Sequence, residues 1–165
     1  MILICYDGSP DSRAAVEQAA ALFADQPATV LTVWEPFVEM AARSSLGLGL
    51  VPFIPDPDEI DEASRKAAEQ TAADGAALAS RLGMTVEHRS SSQVTTTAGA
   101  ILAEADAIGA TAIVMGSRGL TGVKSLLLGS VSHEVVQHAD RAVVVVPSPE
   151  VAASRARAAH QAASK

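Results

Sequence analysis

The chain has 165 residues, 48% of them hydrophobic and 3% aromatic, and a net charge of −7 at pH 7. Its length predicts a single domain with one buried core, and the low aromatic content favours helices packed on a sheet over an aromatic-rich β-sandwich. The acidic balance argues against nucleic acids and anionic membranes as partners, because binding to either requires a positively charged surface.

The N-terminal residues and the cysteine usage predict a cytoplasmic protein. No basic region followed by a long apolar stretch is present, so no signal peptide is expected. No apolar run reaches the roughly 20 residues that a membrane-spanning helix needs. Cys5 is the only cysteine, which excludes an internal disulfide and fits a reducing compartment. We expect Cys5 to be a small buried residue rather than a reactive thiol.

The beginning of the chain predicts a strand, a helix and a second strand. Residues 1–6 form a continuous apolar run, which is typical of a strand covered on both faces. A turn follows at Asp7 and Gly8, and Ser9 is expected to cap a helix that begins at Pro10. Residues 28–34 predict the second strand.

Residues 37–57 predict a long apolar loop, because their hydrophobic residues are interrupted by glycine and proline. A connection of this length is usually functional. The pattern leaves several roles open: a lid over a site, a dimer contact, a partner-binding segment, or a loop that simply packs on the sheet.

The rest of the chain continues the alternation of helix and strand. Asp56 and Pro57 predict a helix start, and Gly83 predicts its end. The elements expected after that helix are a polar edge strand at 84–89, a loop at 90–93, a helix at 95–108, a strand at 111–115, a helix from 131 and a strand at 142–146. We therefore predict an α/β fold with one open, doubly wound, five-stranded parallel sheet and helices on both faces. The tail at 149–165 is expected to be either helical or disordered.

A glycine-rich motif joins the fourth predicted strand to the helix after it. Its members are Gly116-Ser117-Arg118-Gly119 and, after nine intervening residues, Gly129-Ser130. Glycines between a buried strand and a helix start let the backbone approach an anion, and the free N–H groups of the helix point at it. The motif is not Gly-x4-Gly-Lys-Ser/Thr, so the lysine that contacts phosphates in that class of enzymes is absent.

The spacing Gly-x-x-Gly-x9-Gly-Ser resembles the nucleotide-binding signature of the ATP-binding branch of the universal stress protein family. Asp7-Gly8-Ser9 after the first strand and the apolar run at 142–146 before Pro147 support the resemblance, which covers residues 1–148. It implies the strand order 3-2-1-4-5, binding of ATP, and a homodimer formed through residues 142–146. AMP or cyclic AMP suits the same cradle, and Mg2+ commonly accompanies bound phosphate.

The resemblance also implies that the first and fourth strands lie side by side, so that Asp7 and Gly116 face one crevice. Asp7 then lies near the adenosine, Val33 meets the adenine edge and Met115 forms the floor. For Asp7 an ordinary turn, and for Ser130 a helix cap alone, remain alternatives. The predicted nucleotide-binding residues are Asp7, Gly8, Ser9, Val33, Met115, Gly116, Arg118, Gly119, Gly129, Ser130, Val131 and Ser132.

The favoured function is a nucleotide-dependent stress-response or signalling module with slow ATP hydrolysis at most, because no residue near the motif is recognisable as a base. One alternative is an ATP-using enzyme of the adenine-nucleotide hydrolase type, whose Ser-Gly-Gly-x-Asp-Ser loop is matched only in part by residues 7–12. Another is a ligand-free dimeric scaffold, which the retained glycine motif disfavours. We predict no catalytic residue and no protein metal site, since the histidines lack zinc-ligand spacing.

Overall fold

Strands and helices alternate along the chain, as the apolar runs and capping residues predict. The computed structural model describes residues 1–45, 56–93, 95–119 and 128–163. In chain order the elements are β1 (Ile2–Cys5), α1 (Pro10–Leu22), β2 (Ala28–Trp34), α2 (Phe37–Ser45), α3 (Pro57–Arg81), β3 (Val86–Ser92), α4 (Thr97–Ala107), β4 (Ala112–Gly116), α5 (Ser130–His138), β5 (Ala142–Val146) and α6 (Pro149–Ala163).

The five strands form one parallel sheet in the order β3-β2-β1-β4-β5, which confirms the predicted fold. Ile2 of β1 is in register with Ala28 of β2 on one side and with Ala112 of β4 on the other. The chain order therefore reverses between β1 and β4. In open parallel sheets this reversal opens a crevice at the carboxyl ends of the strands, where ligands bind.

Both faces of the sheet are covered by helices. Successive side chains of a strand point to opposite faces, so one strand contributes to the core on both sides. Ile2 and Ile4 belong to a core cluster that includes alanines of α1 and α3, whereas Leu3 belongs to a second cluster with residues of α4 and α5. All three side chains are buried almost completely. The continuous apolar run of β1 is explained by this double coverage.

Helix α3 approaches the sheet closely at Gly75. A Cβ atom added to this glycine would lie 2.7 Å from the Cδ1 atom of Tyr6 and 2.9 Å from the Cγ1 atom of Val30. Separations this short do not occur between real side chains, so only glycine allows the helix to lie against the ring.

The two edges of the sheet differ in chemistry. On β3 the side chains of Glu87, His88 and Arg89 are exposed. On β5, Ala142 is exposed and the valines at 143–145 are only half-buried. Among the described residues, no helix is both long and apolar enough to cross a membrane.

Two local predictions were wrong. The segment at 37–57, expected to be a loop, begins with helix α2, whose first N–H group donates to Oδ1 of Asp61 at 2.6 Å; residues 46–55 lie outside the described residues. The loop expected at 90–93 is largely strand, because β3 continues to Ser92 beside Trp34 of β2. Residues 149–163 of the tail form helix α6, one of the two predicted states.

Candidate functional site

A cavity of about 400 Å³ opens at the carboxyl end of the sheet, beside the point where the strand order reverses. Pockets of roughly 300–1,000 Å³ typically hold small ligands and cofactors. The cavity is lined by Cys5, Tyr6, Asp7, Ser12, Leu31, Val33, Thr97, Ile101, Met115, Gly116, Arg118, Gly119, Gly129, Ser130, Val131 and Ser132.

One part of the cavity is apolar. Leu31 and Val33 come from β2, Met115 from the end of β4, and Ile101 and Val131 from the helices that cover this face of the sheet. All five belong to the same hydrophobic cluster or pack against it. An apolar surface of this kind suits a flat ring system better than a charged group.

Asp7 lies in a fixed turn after β1. Its Oδ1 atom accepts a hydrogen bond from the N–H of Ser9 at 3.0 Å, and Gly8 between them has a φ of +80°, a conformation that favours glycine. Ser9 in turn caps α1, as predicted, by accepting from the N–H of Ser12 at 3.2 Å. The turn thus leaves the Asp7 carboxylate at the cavity wall.

The Asp7 carboxylate also lies against Gly119 of the glycine motif. A Cβ atom added to Gly119 would be 2.7 Å from Oδ2 of Asp7. Gly116 is similarly close to the start of α1: its added Cβ would lie 2.8 Å from the carbonyl carbon of Asp11 and 2.9 Å from the nitrogen of Ser12. Two stretches more than a hundred residues apart in sequence therefore meet in one pocket.

Ser117 connects the motif to its surroundings and is completely buried. Its N–H donates to the carbonyl oxygen of Val146 at 2.8 Å, which joins it to the last residue of β5. Its carbonyl oxygen accepts from the N–H of Gly129 at 2.8 Å and from the hydroxyl of Ser132 at 3.0 Å. Its own hydroxyl donates to Oδ2 of Asp11 at 2.7 Å. The end of β4 and the start of α5 are thereby held together.

The first residues of helix α5 line the cavity. Gly129 is the N-cap residue and provides no side-chain cap, so the expected capping role of Ser130 is wrong: Ser130 is the first helical residue and is exposed. The N–H groups of Ser130, Val131 and Ser132 belong to the first turn, which has no preceding turn to accept from it. Such a turn attracts anions. The Ser132 hydroxyl is already engaged, lying 3.0 Å from the carbonyl oxygens of both Ser117 and Gly129.

Arg118 at the cavity wall is paired with a carboxylate that lies behind it. The guanidinium of Arg118 lies with its Nε atom 3.8 Å from Oδ2 of Asp11, and both side chains are largely buried.

Cys5 lies at the cavity as well and is half-buried rather than fully buried. Burial, and to a smaller extent the neighbouring Asp7 carboxylate, raises the pKa of the Cys5 thiol to about 12. Cys5 therefore presents a neutral thiol.

Comparison with known proteins identifies the family. Residues 1–147 match the model of the universal stress protein family. The chain belongs to this family. It is 31% identical over 147 residues to the universal stress protein YxiE of Bacillus subtilis, covering 88% of this chain and 97% of that protein.

Solved universal stress proteins and the hypothetical protein MJ0577 have the same fold. The MJ0577 structure gives a TM-score of 0.70 at 22% identity and covers 88% of this chain and 94% of its own. A universal stress protein from Archaeoglobus fulgidus in complex with dAMP gives 0.58 at 18%, covering 88% and 95%. A universal stress protein in complex with cAMP gives 0.58 at 24%, covering 89% and 96%.

In this universal stress protein, ten of the twelve predicted site residues line the cavity. The exceptions, Gly8 and Ser9, lie behind Asp7 and shape its turn. The lining residues that the sequence reasoning missed are Cys5, Tyr6, Ser12, Leu31, Thr97 and Ile101. Cys5 and Tyr6 stand at the end of the first strand, a position that the sequence signals. Ser12 in the first turn of α1, Leu31 in the middle of β2, and Thr97 and Ile101 of α4 carry no such signal.

Metal ligands are not grouped in the part of the chain that the structure describes. There, no group of three or more histidine, cysteine, aspartate or glutamate side chains is placed to hold an ion. Lys124, a basic residue between Gly119 and Gly129 of the motif, lies outside the described residues.

Proposed function

We propose that this universal stress protein binds an adenine nucleotide, with ATP as the first choice, in the cavity at the end of the sheet. The observation that carries this proposal is the division of the cavity into two chemistries. Its apolar part borders Asp7, whereas the α5 first turn supplies main-chain donors and Arg118 supplies a cation.

Each part of the nucleotide has a matching group. The adenine ring fits against the apolar residues that include Val33 and Met115. The Asp7 carboxylate can accept a hydrogen bond from a sugar hydroxyl or from the base amine. The phosphates fit at the start of α5, where the N–H groups and the helix dipole favour negative charge, and where Arg118 lies nearby.

The dAMP and cAMP complexes of proteins with this fold support the adenine nucleotide class. AMP and cyclic AMP remain alternatives to ATP for this reason. Mg2+ bound with ATP would be ligated by phosphate oxygens and water, since Mg2+ usually retains several waters. We propose no protein cage for it.

We further propose that nucleotide binding regulates a stress-response or signalling activity in the cytoplasm, with slow hydrolysis at most. Two copies would associate through β5, whose half-buried valines lie at the edge of the sheet. Light scattering coupled to size exclusion measures the mass of the assembly, and a monomer at micromolar concentration would contradict this part of the proposal.

The binding proposal is tested by calorimetric titration with ATP, AMP and cyclic AMP, followed by product analysis. Binding of ATP without rapid turnover supports it. Rapid conversion of ATP to AMP and pyrophosphate would favour an adenine-nucleotide hydrolase, and failure to bind any of the three would favour a ligand-free scaffold.

Gly129→Val and Gly129→Ala form a matched pair for the same titration. A Cβ atom at this position would meet nothing nearer than 3.4 Å, so alanine fits the ligand-free protein. Valine adds a branched side chain to the cavity wall and should abolish nucleotide binding, with a cost to the helix cap of about 1 kcal/mol or less. Normal binding by the valine variant would show that the phosphates lie elsewhere.

A further inference from the structure

A buried carboxylate lies directly behind the cation of the proposed nucleotide site. Asp11 is 5% exposed although it stands in the first turn of α1. Its Oδ2 atom accepts from the Ser117 hydroxyl at 2.7 Å and lies 3.8 Å from Nε of Arg118. A buried carboxylate is costly unless it is paired in this way.

The pairing involves only one side of the guanidinium. Nε faces Asp11, and in the part of the chain that the structure describes the two terminal nitrogens of Arg118 make no hydrogen bond or ion pair. The Arg118 side chain is 15% exposed and lines the cavity. A guanidinium presents its donors in a rigid planar fork, so attraction of Nε toward Asp11 also orients the terminal N–H groups.

Asp11 itself cannot move far. Ser117 holds its carboxylate, and the backbone of Asp11 packs within 2.8 Å of where a Gly116 Cβ would be. Ser117 is in turn fixed by main-chain hydrogen bonds to Val146 and Gly129. The carboxylate is thus a rigid point from which a long, flexible side chain is oriented.

We propose that Asp11 is a positioning residue that orients the Arg118 guanidinium toward the phosphates of the bound nucleotide. Asp11 does not touch the ligand and acts only through Arg118. This inference rests on the proposed nucleotide-binding function. The affinity of the site for the ligand's charged phosphates then depends on Asp11, whereas its affinity for the adenosine part does not.

The test is the affinity of the wild type and of Asp11→Asn for ATP and for adenosine. Asparagine preserves the shape of Asp11 and can still accept from the Ser117 hydroxyl, but it lacks the charge that attracts Nε. We expect ATP to bind roughly three- to tenfold more weakly, as for the loss of one partly buried ion pair, and adenosine to change by less than about twofold. Glu17→Gln removes an exposed charge from the same helix outside the cavity and should alter neither affinity.

A double-mutant cycle with Arg118→Met separates positioning from other roles. In the methionine background Asp11→Asn should no longer change ATP affinity, because the residue through which it acts is gone. Equal weakening of ATP and adenosine by Asp11→Asn would indicate a merely structural role, and tighter ATP binding would indicate charge repulsion. Either result overturns the inference.

The outcome for the wild type distinguishes the two proposals. If none of ATP, AMP and cyclic AMP binds to it, the proposed function fails and the inference fails with it. If ATP binds to the wild type and to Asp11→Asn with equal affinity, only the inference fails.

Discussion

Alanine substitutions at Gly116 and Gly119 should separate the architecture of the site from its chemistry. Both glycines line the cavity, and in both the added Cβ atom would be less than 3.0 Å from another atom. At Gly116 that atom belongs to the backbone around Asp11 and Ser12, which cannot move without shifting α1. At Gly119 it is the Oδ2 atom of the Asp7 carboxylate, a side chain that can shift only at the cost of its hydrogen bond from the Ser9 N–H.

The two variants should therefore differ in stability. Overpacking at Gly116 costs about 1–3 kcal/mol, partly offset by about 0.4–1 kcal/mol because alanine restricts the unfolded chain. We expect Gly116→Ala to be destabilised by about 1–2 kcal/mol, with the Tm lowered by roughly 2–4 °C per kcal/mol for a domain of this size. Gly119→Ala should unfold within about 1 kcal/mol of the wild type, since only a side chain is displaced.

Binding should show a different pattern. Gly119→Ala displaces the Asp7 carboxylate and should weaken ATP and adenosine to a similar extent, about tenfold, because a hydrogen bond to a charged group is lost. Chemical denaturation and calorimetric titration measure the two effects on the same samples. A Gly116→Ala variant as stable as the wild type, or a Gly119→Ala variant with unchanged affinity for adenosine, would refute the reasoning.

Three further predictions concern the rest of the molecule. Gly75→Ala should lower the free energy of unfolding by about 1–2 kcal/mol in urea titrations, because the new methyl group overlaps the Tyr6 ring despite the better helix propensity of alanine. Ala67→Gly is the control at an exposed position of the same helix and should cost about 1 kcal/mol through propensity alone. A larger loss of stability for Ala67→Gly than for Gly75→Ala would contradict the close approach of the helix to the sheet. Hydrogen bonds from an arginine and a lysine lower the pKa of Glu62 from 4.5 to about 2. The contribution of Glu62 to the free energy of unfolding is therefore present above pH 4.5 and is lost as the pH falls toward 2. Glu62→Gln should therefore flatten the pH dependence of unfolding in this range, by an amount that high salt reduces because the pair is exposed. Because the pKa of Cys5 is raised from 9.0 to about 12, iodoacetamide should modify the folded protein at pH 8 at least about a hundredfold more slowly than the unfolded chain, and equal rates followed by mass spectrometry would contradict the neutral thiol.

The sequence predicted the elements whose signals are local. The buried strands are apolar runs, and α1 and α3 begin at capping residues followed by proline, as the structure confirms. The end of β3 was missed because Ser90, Ser91 and Ser92 are polar. Their strand conformation comes from pairing with β2, which is a tertiary effect that no window of β3 contains.

The residues of the candidate site also fall into those that the sequence predicted and those that it did not. Asp7 and Gly116 could be predicted to share a crevice because the resemblance to the universal stress protein family implies that the first and fourth strands are neighbours, and ligands bind where such strands end. Thr97, Ile101 and Asp11, whose carboxylate is paired with Arg118, were not predicted. Which face of a helix borders a cavity depends on how the helix packs on the sheet, and the sequence pattern alone gives only the apolar face.

The contrast between the two outer strands would limit how copies of this protein could associate by strand pairing. The charged side chains of β3 oppose the addition of another strand, whereas the small and aliphatic side chains of β5 do not. A molecule in which one edge strand alone can pair with another copy forms a dimer by main-chain hydrogen bonding, and no pairing edge is then left for a third copy. Two permissive borders would instead allow growth without end, as in a fibre.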